Sequence, residues 1–311
     1  MNTIFFKYVI EVERTRSITQ AAENLFMAQP NLSKAIKEIE ESLGFAIFKR
    51  TSKGVIPTPK GNEFLDYARN IASQLDKIDS LSKPKEAGSQ SFNISIPRGS
   101  YISHAFIHFV EELNREEEIN LNLQETNAMT TIDNVATGRF DLGVIRYQTA
   151  YERYFLDFLK DKQLCHESIW EFEYLVLMSK DSLLAKEPQV EHPYLDKLTE
   201  IIHGDNVIPY LSANGESLPQ HSGAGKKKIY LYERCNQFEL LSAIPDTYMW
   251  VSPIPKDYLM RYRLIQRPCS VQGNQYRDIL VYAKGYQFTD LDRKFIDKLY
   301  QTKDEVAKMQ E

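Results

Sequence analysis

Cysteine is scarce: three in 311 residues, Cys165, Cys235 and Cys269, odd in number and far apart. That spacing excludes a disulfide framework and a thiolate metal cluster, and leaves buried or half-buried thiols. Long apolar runs are missing too. The longest, such as residues 174–178, fall far short of the about 20 residues a membrane-crossing helix needs, and Lys7 and Glu11 interrupt the apolar N-terminus where a secretion signal needs continuity. The expectation is a cytoplasmic protein without membrane contact. Catalytic signatures are also lacking. There is no Gly-x-Ser-x-Gly run and no Cys–His pairing that suggests a nucleophile. His104 and His108 sit one helical turn apart, but no glutamate follows His104 and no third ligand is evident, so an ordinary amphipathic helix accounts for them. Gly223, Ala224, Gly225 and Lys226 lack the spacing and the following Ser or Thr of a phosphate-binding loop. The chain reads as neither an enzyme nor a cofactor carrier.

An excess of positive charge is absent as well, since the net charge is −5. Splitting the chain changes what that implies. Residues 1–83 hold 12 basic and 10 acidic side chains, whereas the remainder holds 26 and 33. Where the cations sit matters more than their sum, and the first part can meet a polyanion. Hydrophobic content of 42% and charged content of 26% are ordinary for a globular chain long enough for two or three domains.

What is present is concentrated between residues 17 and 60. Ser17 can cap a helix, with Gln20 completing a capping box. Ala21, Ala22 and Leu25 give that helix a small apolar face. Residues 26–28 form a turn, and Pro30 stands where the first turn of a second helix tolerates it. Leu32, Ile36, Ile39 and Leu43 then follow spacings of four, three and four, one buried stripe. Pro30, Ser33, Lys34 and Lys37 fall opposite. No acid occurs from Asn24 to Lys37, while Glu38, Glu40 and Glu41 crowd the far end. Such a helix suits insertion of its first half into a DNA major groove. Gly44 closes it by allowing a left-handed backbone. Lys49, Arg50, Lys53 and Lys60 follow without an acid among them, and Ser52, Lys53 and Gly54 read as a hairpin tip: a basic wing against the phosphate backbone.

These residues resemble the N-terminal domain of the LysR-type transcriptional regulators. A serine before AA-x-x-L appears as Ser17 with Ala21, Ala22 and Leu25, and QP-x-x-S as Gln29, Pro30 and Ser33. LG-x-x-x-F-x-R appears as Leu43, Gly44, Phe48 and Arg50, and T-P-x-G as Thr58, Pro59 and Gly61. The resemblance implies double-stranded DNA as partner, with Gln29, Pro30, Ser33 and Lys34 facing bases or adjacent phosphates. The helical wheel adds Lys37, and Ser17, Thr19, Arg50, Thr51 and Lys53 are backbone-contact candidates. Where relatives often carry arginine this chain has Lys34, a point donor rather than a fork.

Residues 2–14 read as a first helix. After the wing, Phe64, Ala68, Ile71, Leu75 and Ile78 recur at the 3.5-residue period of a coiled-coil seam. That helix either dimerises or packs on its own domain; the resemblance implies a homodimer, and in this family often a homotetramer. The fold class expected is α/β: a winged helix-turn-helix (1–58) and a linker helix (59–82), then a hinge (83–91) and two lobes resembling a periplasmic binding protein. The first lobe spans 92–165 and 271–311, the second 166–270. A β-α-β-α-β order over 92–146 implies a parallel sheet. Strands are expected near 172–178, 207–211, 229–232, 248–251 and 278–283, and a helix over 289–300.

A small-molecule effector is the second partner implied. Its contacts would lie outside the carboxyl ends of parallel strands: Ser100 and Tyr101 at a helix N-terminus, Asn127 and Thr130, Arg146 and Tyr147, faced by His203. Arg98 and Arg146 tilt the expectation towards a carboxylate or similar anion. The plainer alternative is that Ser100 only caps its helix and Arg146 only pairs with an acid. One departure from the family is plain: its glycine-rich G-x-G-I-x-x-L-P run is replaced by residues 243–253, which hold no glycine. Nearby Tyr230, Tyr232, Phe238 and Tyr258 could line a pocket but are read as core filling. Two other functions remain in view: a solute-binding protein without regulation, and a DNA-bending protein with little sequence preference.

Overall fold

A computed structural model of the chain describes residues 3–51, 54–82, 89–98, 101–204, 227–232 and 237–308. Its contacts divide into two units, the first made mainly of residues 1–88 and the second of most of the rest.

In the first unit, α1 (Ile4–Thr15), α2 (Ile18–Asn24) and α3 (Gln29–Leu43) pack through the expected stripe. Val9, Val12, Ala21, Ala22, Leu32 and Ile39 are almost wholly shielded from solvent, and a large side chain buried this way contributes about 1.5–3 kcal/mol over exposure. Ser17 accepts from the backbone N–H of Gln20 at 3.2 Å. The capping box is only half made, however. The Gln20 amide turns to Glu23 and Asn24, and it is the Thr15 hydroxyl that takes the Ser17 N–H. Gly44 ends α3 at φ +75°. Strands β1 (Phe48–Thr51) and β2 (Gly54–Pro57) pair antiparallel as the wing; Ser52 and Lys53, the expected tip, lie outside the described residues.

Helix α4 (Pro59–Ser82) follows. Its start explains the T-P-x-G motif. The Thr58 hydroxyl donates to the Ala46 carbonyl at 2.7 Å and accepts from the Gly61 N–H at 2.9 Å. A Cβ on Gly61 would stand 2.0 Å from the Ile47 carbonyl oxygen, so no other residue fits without moving the backbone.

The second unit begins with β3 (Ser89–Ile96), α5 (Tyr101–Glu111), β4 (Glu118–Glu125), α6 (Ala128–Ala136), β5 (Leu142–Gln148), α7 (Glu152–Asp161) and β6 (Leu164–Glu173). It continues through β7 (Leu175–Ser179), α8 (His192–Leu195), β8 (Thr199–His203), β9 (Lys228–Leu231), α9 (Gln237–Ala243), β10 (Thr247–Val251), α10 (Lys256–Arg261) and β11 (Leu264–Arg267), and returns with β12 (Gln275–Ala283) and α11 (Asp290–Ala307). Among the described residues the sheets run β4-β3-β5-β12-β6 and β11-β7-β10-β8-β9.

Three expectations are corrected here. The hinge does not reach 91, because residues 89–91 already pair with residues 118–120 in parallel register. The second lobe does not start at 166, because β6 pairs along its length with β12 in the first sheet, and only Tyr174 separates it from β7. Nor does that lobe end at 270, since Val271 still packs against its core. Strands β3, β4 and β5 are parallel as expected, but β12 runs antiparallel to both of its neighbours. The strand expected at 207–211 lies outside the described residues.

The chain thus crosses between lobes twice, and the two crossings are tied together. Buried Asn274 donates to the Tyr174 carbonyl at 2.8 Å, while the Tyr174 N–H donates to the Asn274 carbonyl at 3.3 Å. The rings of Tyr174 and Tyr276 stack beside this clasp with centroids 3.7 Å apart.

Candidate functional site

Two sites emerge, one in each unit. In the first, α3 presents Pro30, Lys34 and Lys37 to solvent, with Gln29 and Ser33 half-buried beside them. Pro30 occupies the first turn of α3, where its missing N–H costs nothing. Among the described residues Lys37 has only a loose ion pair, 3.6 Å, with exposed Glu41. Ser17 caps α2, Thr19 is exposed on it, and Arg50 and Thr51 are exposed on the wing; Lys53 lies outside the described residues.

What fixes the wing against the helix was not evident from the sequence. The Glu40 carboxylate accepts from the backbone N–H groups of Ile47 and Phe48 at 2.7 and 3.0 Å, so an acid of the far end of α3 holds the base of β1. On the other side, the Val55 N–H donates to the Arg16 carbonyl at 2.8 Å, and a Cβ on Gly54 would meet that same oxygen at 2.6 Å. Phe26, in the turn between α2 and α3, is 98% exposed at φ +54°.

In the second unit a cavity of about 230 Å³ opens between the two sheets. Its first-lobe wall is the carboxyl edge of β3, β4 and β5: Pro97 and Arg98, Thr126 and Asn127, and Arg146 to Gln148. Its second-lobe wall comes from the ends of β8 and β10: Glu200 to His203 and Met249 to Ser252. Asn127, Arg146, Tyr147 and His203 are therefore among the residues that line it. Tyr101 and Thr130 do not. Tyr101 is fully buried and donates its hydroxyl to Asp278 at 2.9 Å; burial and that neighbouring carboxylate both push its ionisation well above the ordinary range. Thr130 only gives its N–H to the Asn127 side chain, which caps α6. Ser100 lies outside the described residues.

Arg146 lines the cavity and also has a partner inside the protein, though a buried acid rather than a surface one. Its guanidinium donates to both oxygens of wholly buried Asp278, at 2.8 and 2.7 Å, and stacks near Phe172 and Tyr174. Burial alone would weaken its charge, and Asp278 more than reverses that, holding it protonated. The pair is a structural fork, so its charge is already answered inside the protein. Of the aromatics assigned to core, Phe238 and Tyr258 do pack there, whereas Tyr230 and Tyr232 are exposed.

Glu200 and Ser252 were missed. Glu200 is 4% exposed and Ser252 wholly buried, yet Glu200 Oε2 and Ser252 Oγ have no hydrogen-bond partner among the described residues. Burial pushes the Glu200 carboxyl up to about 7, with Lys228 on the neighbouring strand tempering the shift. The one signal was an acid at an inward position of a short apolar strand. No group of three or more His, Cys, Asp or Glu is placed to hold a metal among the described residues, and none of the described helices is long and apolar enough to cross a membrane.

The family profile "bacterial regulatory helix-turn-helix protein, lysR family" matches residues 5–62. An uncharacterised helix-turn-helix regulator of Bacillus subtilis, YcgK, is 30% identical over 156 residues, 49% of this chain and 48% of the relative. The regulator BenM of Acinetobacter baylyi is 31% identical over 140 residues, 44% of this chain and 45% of the relative. The chain thus spans about half the length of these curated relatives. The crystal structure of CbnR, a LysR family transcriptional regulator, aligns with 97% of this chain and 99% of its own at a TM-score of 0.61 and 13% identity, a likeness of fold.

Proposed function

We propose that this chain, which belongs to the LysR-type family by its N-terminal domain, is a sequence-specific DNA-binding regulator of transcription controlled by a small molecule bound between its C-terminal lobes. The observation that carries the reading is the exposed, acid-free first half of α3 beside a basic wing that Glu40 and Arg16 fix in place. Groove insertion of such a helix reads base edges, with Gln29 suited to adenine and Lys34 to guanine, while the wing cations and Lys37 meet phosphates. The chain works in the cytoplasm as a homodimer joined through α4, and dimers pair into tetramers. A ligand that favours one lobe geometry changes how subunits associate, and so the spacing or bend imposed on the DNA.

Footprinting of the purified chain on the DNA upstream of its own coding region tests this. Protection of a dyad-related site is expected. Uniform protection of all fragments would instead mark an architectural DNA-bending protein, and no protection at low salt a solute-binding protein. Each phosphate contact removed reduces the log–log salt slope by about one, so Lys37→Ala and Lys53→Ala should each flatten it. Unchanged slopes in both variants would refute the groove-and-wing assignment.

A further inference from the structure

We propose that the cavity between the lobes takes an organic amine, whose nitrogen donates to Glu200 and Ser252 on the second-lobe wall. This rests on the reading of the cavity as a ligand site and names the chemistry of its occupant.

Buried polar atoms in folded proteins are nearly always hydrogen-bonded, and an ionisable one left alone is costly. Here two such atoms, Glu200 Oε2 and Ser252 Oγ, belong to residues on the same wall of a space large enough for a small metabolite. Both can accept a hydrogen bond, and a carboxylate can only accept. For the ionised carboxylate the missing partner is therefore a donor.

Charge points the same way. Of the two cations expected to attract an anion, Arg98 lines the first-lobe wall, opposite Glu200, while Arg146 is locked in a two-pronged pair with Asp278 and brings no uncompensated charge to the cavity. Asn127, at the start of α6, already spends its side-chain oxygen on the Thr130 N–H. Glu200 has no ion pair or hydrogen bond at Oε2 among the described residues, and Lys228 only tempers its charge from the neighbouring strand. The rest of the lining supplies aromatic faces from Tyr151, Phe155, Tyr174 and Trp250, and a cation is attracted to such faces while a carboxylate is not. A protonated amine on a short apolar body satisfies the acceptors, the charge and the rings together.

The test is isothermal titration of the full chain with matched probes: phenethylamine and putrescine as amines, 3-phenylpropanoate and succinate as acids, and benzamide as a neutral donor. The amines should bind, and Glu200→Gln should weaken them at least tenfold while the variant still melts cooperatively. Ser252→Ala should weaken them less. Binding of the acids alone would overturn the amine assignment and leave the cavity reading standing. So would equal binding of benzamide, or amine binding indifferent to Glu200→Gln. Silence from every probe would overturn both readings.

Discussion

At the scale of single residues, Glu200 shows how a side chain can be kept at a cost to the fold. In the unfolded chain its carboxyl ionises near 4.5, but in the folded protein burial holds the proton until about 7, despite Lys228 on β9 and with the Tyr248 phenol nearby on β10. Between those values the unfolded chain has released its proton and the folded chain has not. Stability therefore falls as pH rises through that window, by about 2–3 kcal/mol once pH passes 7. Glu200→Gln should raise the melting temperature at pH 8 and leave it nearly unchanged at pH 4, measured by calorimetry at both values. A variant equally stabilised at both pH values would mean the carboxyl is not held in this way. In Thr-Glu-Ile-Ile-His the single local signal is an acid at an inward position, and it could not be read as burial because that depends on a wall built from β10 some fifty residues later. The exposure of Pro30, Lys34 and Lys37 was legible for the opposite reason: helical spacing alone sets them against the buried stripe of α3.

At the scale of elements, α4 carries the clearest unanswered surface. Leu65 and Ala68 are buried in its own domain, yet Tyr67, Ile71 and Ile78 are 61%, 39% and 59% exposed. The seam read from the sequence is thus shared, its first turns spent within the domain and its later ones left open. Apolar exposure of that kind on a long helix fits pairing with a second α4. Ile71→Glu combined with Ile78→Glu should convert a dimer into monomers by analytical ultracentrifugation at micromolar concentration, with little loss of helix content. A doubly substituted chain that sediments as before would move the dimer contact elsewhere. Parallel pairing of β3, β4 and β5 was legible because crossover helices separate those strands in sequence. The run from β6 into β7 was not, since no glycine or proline marks the point where the chain changes lobe. The antiparallel insertion of β12 was equally hidden, because its partners lie more than a hundred residues away.

At the scale of the whole molecule, the first lobe is assembled from both ends of its segment. Strand β12 lies between β5 and β6, and Phe295 of α11 packs among Phe92, Phe106 and Phe109 in the lobe's core. A chain ending at Ser270 should consequently lose cooperative melting of this lobe and bind a hydrophobic dye, while the helical signal of residues 4–82 persists. If the shortened chain melted like the intact one, the returning strand would be dispensable. The lobes' existence was readable from alternating strands and helices, but this dependence on the last forty residues appears only once the pairing is seen.

That interlacing sets a timetable for biosynthesis. The ribosome releases the helix-turn-helix head and wing early, whereas the first lobe waits for residues 275–283 before the strand between β5 and β6 exists. Through that interval Phe92 and Phe109 have no Phe295 to cover them, so a stalled or prematurely terminated product would carry a finished helix-turn-helix head on an unfinished, protease-sensitive body.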